Sequence, residues 1–392
     1  MRITLNNLNQ NIISLVILIG LFFPSYKYIF AYGEPNTSGP YFSQIPQWLL
    51  VIDDALIIVL LFISILLSIL TNRKISLTGL LVGSIFLLTN LGIILGTDWE
   101  SIKQSKEQFI FALFAFAALG FFYRDGADNI KFIKSYSLKI LIFLLLFFLV
   151  QIFLLAAIGK PPVISWSTNF DDVFSPIMRF GSFISSANHA GSFAVLLLLL
   201  SNRRGLEQIL LICLVFIFLL FAWSLTSYVA FIIYLFFYFY KTSRILFFLI
   251  SITTLLTFLI LITQEEILDL LQLLLQDKST KKHLDLIFLK GVELSFLDFG
   301  AEGTFKNESL YSWLLVNNGI LFGSILILLM IAPLLLFFQF GNLDQDIQLA
   351  LMFHFIVFVL LFSVPISHYY GIGFLHLALL HYLYQRIYQS FQ

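Results

Sequence analysis

"SLKILIFLLLFFLVQIFLLAAI", residues 137–158, is the stretch whose reading decides the fold. Beyond Lys139 it carries no charge, and almost every position is Leu, Ile, Phe, Val or Ala. A helix needs about 20 such residues to cross roughly 30 Å of hydrocarbon at about 1.5 Å per residue. The run is continuous rather than alternating, and an open sheet would leave backbone groups unbonded in lipid. It is therefore expected to be a membrane-spanning helix.

The same pattern recurs in both directions along the chain. Apolar runs near 12–31, 46–70, 75–96, 108–123, 137–158, 183–201, 207–222, 224–240, 244–263, 309–338, 347–365 and 369–385 predict about twelve spans. The expected architecture is all-α and polytopic, one transmembrane domain over 1–392, with a large extracytoplasmic loop at 264–308 before the tenth span. The first run lacks a cleavage signature and reads as an uncleaved helix. With 60% hydrophobic and 11% charged residues among 392, and a mean hydropathy of +0.97, there is too little polar surface to cover a water-soluble globule. Zero formal net charge gives no basic field, so no nucleic-acid partner is expected. The single cysteine, Cys213, sits in a Leu/Ile/Phe run and reads as a small apolar core residue.

Short basic stretches set the orientation. "NRK" at 72–74, "RDGADNIKFIK" at 124–134, "NRR" at 202–204 and "KTSR" at 241–244 fall on one side of a twelve-span arrangement with Arg2 and Arg386. By the positive-inside rule that side is cytoplasmic, and both termini with it. The segments near 32–45, 97–107, 159–182 and 264–308 then face out. A connection as long as 264–308 calls for a functional explanation. Its start, with Ile267, Leu270, Leu271, Leu273 and Leu274 apolar and Glu265, Glu266 and Asp269 polar, suits an amphipathic helix lying at the interface. The loop is net acidic despite Lys278, Lys281, Lys282, Lys290 and Lys306.

One span has an unusual mouth. "RFGSFISSANHAGSFAVLLLLLSNRRG", residues 179–205, opens with an arginine and small polar residues before turning apolar. On one reading Arg179 snorkels toward lipid phosphates, and Ser or Asn at a helix start is ordinary capping. Alternatively the guanidinium, the free N–H groups of a helix beginning near 183, and the neutral donors Ser182, Ser185, Ser186 and Asn188 form an anion cradle. His189 beside them either bonds locally or carries a proton.

"RFGSFISSANHAG" from Arg179 resembles the Arg, Gly, Phe and Asn pattern that opens a middle helix in the O-antigen ligase and polymerase superfamily. Asn188 stands nine residues after Arg179, and Ala187 replaces the proline frequent before that asparagine. "NESLYSWLLVNNGILFG" from Asn307 is similar to the family's motif after the large outer loop, with Gly319 and Gly323 as its Gly-x-x-x-Gly. Glu308 followed by Ser309 is more like the polymerase branch, since the ligase branch usually has His then Asn. The family's arginine within the large loop has no counterpart; Lys281, Lys282 and Lys290 are the nearest cations, and lysine offers a point contact where arginine offers a fork. The family's Ser-Arg pair on a later helix is also absent, because Tyr228 follows Ser227.

The resemblance implies a metal-independent, cofactor-free glycosyltransferase of the bacterial inner membrane. It implies an O-antigen or capsular polysaccharide polymerase acting on polyprenyl-pyrophosphate-linked oligosaccharides, with membrane lipids, a chain-length regulator and a flippase as partners. In that reading Arg179 stabilises the departing diphosphate and Glu308 is the general base for the acceptor hydroxyl. Asn188, Ser182, Ser186, His189, Lys282, Lys290 and His283 bind substrate, with Asp298 and Glu302 in support. The plain alternative for Glu308 is an acid favouring the positive end of a helix. A ligase acting on lipid A core is the nearest other enzyme, and a lipid-oligosaccharide flippase the reading from a different class. Transporters usually show repeats and broken helices. No repeat is evident, and the polar residues gather at the outer surface. Asp53 and Asp54, inside the second span, line a cavity or pair with a cation. Trp166, Asn169, Asp171 and Asp172 are candidate sugar contacts, while His354, His368, His376 and His381 form no metal-ligand spacing.

Overall fold

The computed structural model describes residues 47–70, 126–158, 165–168, 177–180, 187–203, 205–243, 309–362 and 370–390, with single positions outside these stretches. They are overwhelmingly helical: α1 (Gln47–Leu70), α2 (Gly126–Ile158), α3 (Ala187–Ser201), α4 (Leu206–Ala222), α5 (Leu225–Thr242), α6 (Leu310–Ile331), a 3-10 helix (Ala332–Asn342), α7 (Gln345–Leu360) and α8 (Tyr370–Ser390). Strands β1 (Ser165–Thr168) and β2 (Ile177–Phe180) pair antiparallel and add one short ribbon between α2 and α3.

By length and composition, the segments Ile52–Leu70, Ile133–Ala157 and Gly319–Asn342 can each cross a membrane. The burial pattern points the same way. On α1 the buried stripe holds Asp53, Asp54, Ile57, Leu61, Ser64 and Ser68, while Val59, Phe62, Leu66 and Leu70 are exposed. On α2 Gln151 is buried and Phe153 is 69% exposed. Apolar outside and polar inside is the arrangement that lipid, not water, rewards. Cys213 departs from expectation: it lies on the exposed face of α4, not in the core, because Leu211 and Val215 on either side of it take the buried stripe.

α3 is the central post. From Ala190 to Leu200 it is buried on every side, by α2, α4, α5 and α7, and α8 closes the ring between α7 and α2. Its tightest contact is with α5. A Cβ on Gly191 would overlap the Cβ and Oγ of Ser227, and Ser192 Oγ lies 3.3 Å from Ser227 Oγ. Ser227 in turn donates to Ser224 Oγ at 2.9 Å, and its amide bonds the same oxygen, which caps α5. Small residues let the backbones approach, and hydroxyls supply bonds that lipid cannot. The α3–α4 turn is held by Gln208, which accepts from the Arg203 amide at 2.7 Å and donates to Tyr234 Oη at 2.6 Å. The break expected at Trp223/Ser224 is there: Trp223 is left-handed, at φ 47°, and α5 starts after Ser224.

Three expected boundaries move. α2 starts at Gly126, so most of the basic stretch 124–134 is helix rather than loop; Lys134 in it reaches Asp346 in the first turn of α7 at 2.7 Å. Both helices therefore begin at the same end of the bundle. α3 starts at Ala187, not near 183. The expected straight span 309–338 is broken twice, at Gly319 and where the 3-10 helix begins.

Candidate functional site

The polar entry of α3 is held by its neighbours. Arg179 pairs through its backbone with Trp166, and the adjacent Phe180 pairs with Ser165. Phe180 is buried edge-on against Phe148 of α2 and Phe221 of α4, with both ring centroids 6.0 Å away. Ser182 follows with φ 55°, a left-handed turn that stops the chain from entering α3 directly. Its Oγ donates to the Leu144 carbonyl at 2.7 Å, and its own carbonyl accepts from Gln151 Nε2 at 3.0 Å. A two-turn length of α2 thus staples the entry in place.

Those bonds also fix its depth. α2 continues from Gln151 to Ile158 through the apolar sequence "IFLLAAI", so the turn sits roughly 10 Å or more below the end of α2 at about 1.5 Å per residue. The entry is recessed below the end of α2. Irregular backbone is tolerated beside apolar spans only where protein covers it or it lines a cavity. The Ser182 hydroxyl is fully buried and committed to Leu144, which removes it from the set of donors for a substrate.

The described part of the second motif begins at Ser309, one residue after Glu308. Ser309 is buried, and Tyr311 donates to the Phe358 carbonyl at 2.7 Å while its ring packs on Phe362, centroids 4.4 Å apart. The start of α6 is thereby pinned to the far end of α7. The two glycines of the motif have different tasks. Gly319, at φ 71° and ψ 168°, takes a conformation essentially reserved for glycine. The chain folds there so sharply that a Cβ on Gly323 would lie 2.7 Å from the Leu314 carbonyl oxygen, although a straight helix separates residues nine apart by about 13.5 Å. Leu321, freed by the break, gives its amide to the Phe296 carbonyl of the large loop at 3.3 Å.

The two motifs reach the same end of the bundle. α2 and α7 start together at Lys134 and Asp346; the turn at Ser182 lies against the C-terminal half of α2, and Tyr311 against the last turns of α7. Of Arg179 and Asn188 the structure describes only the backbone, in β2 and in the first turn of α3. His189 lies in that same first turn, partly buried. Ser186, Lys282, His283, Lys290, Glu308, Asp298 and Glu302 lie outside the described residues, as do Asn169, Asp171 and Asp172. Asp53 and Asp54 are both buried within α1. Among the described residues no three His, Cys, Asp or Glu side chains gather to hold a metal ion.

One polar cluster was not anticipated. His354 of α7 and His376 of α8, separated by 22 positions, meet in the core with Nδ1 of the first 2.8 Å from Nε2 of the second. Sequence spacing hides such a pair; its only signal was histidine inside apolar spans, which is costly unless used. No family model, curated protein or solved structure matches the chain.

Proposed function

We propose that the chain is a polysaccharide polymerase of the bacterial inner membrane, with both termini cytoplasmic, joining polyprenyl-pyrophosphate-linked oligosaccharide units. The observation that carries this reading is the arrival of the Arg179 strand and of the start of α6, which follows Glu308 in the sequence, at one end of the bundle, each tied down by hydrogen bonds to a neighbouring helix. Together with the motif resemblance it favours an acceptor site and a diphosphate site built from separate segments.

The chemistry asked of those segments is one displacement. The acceptor hydroxyl oxygen attacks the anomeric carbon of the donor sugar, the bond from that carbon to the diphosphate oxygen breaks, and Glu308 takes the hydroxyl proton. The diphosphate leaves with the bonding electrons, and Arg179 stabilises the charge it gains. Asn188, His189 and the first-turn amides of α3 supply further donors, while Lys282, Lys290, His283 and Ser186 remain candidates for holding the carrier or the sugars.

A flippase is the second reading, because the breaks at Gly319 and at the 3-10 helix are of the kind transporters use. Purified protein incubated with lipid-linked repeat units separates the two. Polymerisation gives a ladder of lengths, and a cell lacking the protein still displays single units. Absence of a ladder together with a surface free of all glycan would overturn the polymerase reading in favour of transport.

A further inference from the structure

The 3-10 helix is held by the side chains of its neighbours. Pro333 has no N–H for the Leu329 carbonyl four residues back. The change to 3-10 bonding directs the Leu334 amide to Ile331 rather than Met330. Both orphaned carbonyls are captured from outside. Tyr384 of α8 donates to Leu329, and His354 of α7 bonds Met330 O at 2.7 Å. At the other end, Gln348 Nε2 donates to the carbonyls of Phe340 and Leu343 at 2.9 and 3.0 Å.

The His354 contact fixes the tautomers. A carbonyl only accepts, so His354 Nε2 carries the proton and its Nδ1 is an acceptor. His376 Nε2 must then donate to it. The ring centroids are 5.0 Å apart with planes 20° from parallel; the 2.8 Å N···N separation plus a ring radius on each side accounts for that distance, so the rings lie end to end. His376 Nδ1 is the one nitrogen of the pair engaged in neither bond. Both residues are almost wholly buried, at 0% and 2% exposure.

The surroundings offer the pair little charge. Positions 320–342 of α6 and the 3-10 helix carry no ionisable side chain. On α7 the other such group is Asp346, tied to Lys134. On α8 they are His381, with Gln385 3.4 Å away, Tyr370, Tyr382, Tyr384, Arg386 and Tyr388. α3 contributes only His189 at its start, and α5 contributes Tyr228, Tyr234, Tyr238, Tyr240 and Lys241. α2 contributes Asp128, Lys131, Lys134, Tyr136 and Lys139, all before Ile140.

We propose that His354 and His376 form a proton-released latch that holds the 3-10 helix against α7 and α8. In the closed state the pair is neutral, and a proton added at His376 Nδ1 would place an imidazolium in the core with no carboxylate beside it among the described residues. The proton therefore binds better once the 3-10 helix has lifted and water reaches the pair, so acid shifts the population toward the open form. This inference stands independently of the glycosyl-transfer reading.

Hydrogen exchange of the full chain in lipid nanodiscs tests it. Protection of amides 329–342, corrected for intrinsic exchange, is expected to fall at least about tenfold between roughly pH 8 and pH 5. A His354→Gln/His376→Gln double variant loses that pH dependence, while His381→Gln keeps it. Protection that is flat or rises toward acid in the unaltered chain overturns the latch, as does a double variant that keeps the full dependence. The wild-type measurement decides even if the variant fails to fold.

Discussion

The hydroxyl of Ser182 donates to the carbonyl of Leu144, 2.7 Å away and 38 positions earlier. This bond sets the depth of the polar entry, because it fastens the turn before α3 to the middle of α2 rather than to its end. Ser182 also holds φ 55°, so two demands fall on one side chain.

Substitutions at 182 therefore separate those demands. Ser182→Gly is expected to cost about 1 kcal/mol, the worth of the lost hydrogen bond, since glycine accepts the left-handed turn. Ser182→Val is expected to cost more, because a β-branched residue is strained at positive φ and also lacks the donor. Thermal unfolding in detergent checks the order, and equal losses for both would contradict it.

Gly191 and Ser227 share one space between α3 and α5. Gly191→Ala should destabilise by about 1 to 3 kcal/mol through overpacking. Adding Ser227→Gly should restore part of that loss, since it removes the Cβ and Oγ that the new methyl meets. A double-mutant cycle read by unfolding midpoints measures the coupling. Simple additivity would mean that the helices separate by another route.

The fold at Gly319 predicts a different pair of effects. Gly319→Ala should cost about 1 to 3 kcal/mol from backbone strain alone. Gly323→Ala has ordinary helical geometry but places a methyl against the Leu314 carbonyl, so its cost is steric. Both should lower the melting temperature and, on the polymerase reading, the polymer yield in parallel. A Gly319→Ala protein as stable as wild type would show that α6 is straight.

Cys213, the chain's one cysteine, lies on the exposed face of α4. Cys213→Ala should leave stability within about 0.5 kcal/mol of wild type, as substitutions away from packed features usually do. A loss of several kcal/mol would place the side chain in a protein contact instead.

The described helices α4, α5 and α7 lie close to where their apolar runs place them, because lipid rewards uninterrupted hydrocarbon and Trp223/Ser224 interrupt it visibly. The breaks at Gly319 and Pro333 were invisible for the same reason. Apolar composition continues through both, and only φ at Gly319 and the missing amide of Pro333 stop the helix. The ribbon carrying Arg179 escaped notice because four-residue strands beside a long loop leave no periodicity to read. The extension of α2 back to Gly126 escaped because Lys131 and Lys134 look like a loop until Asp346 is brought to Lys134. Within the candidate site, the types of residue were legible, while the commitment of Ser182 to Leu144 and the depth of the entry needed three dimensions.

The central claim is that a guanidinium and a carboxylate from separate segments act on one lipid diphosphate. It is tested most directly by the initial rate of chain elongation on purified lipid-linked repeat units, for wild type, Arg179→Ala and Glu308→Gln, each shown to be folded by its melting temperature. The account predicts that each variant falls by at least about 100-fold, the scale on which a charge stabiliser or a general base contributes. Elongation by either folded variant at the wild-type rate would contradict it.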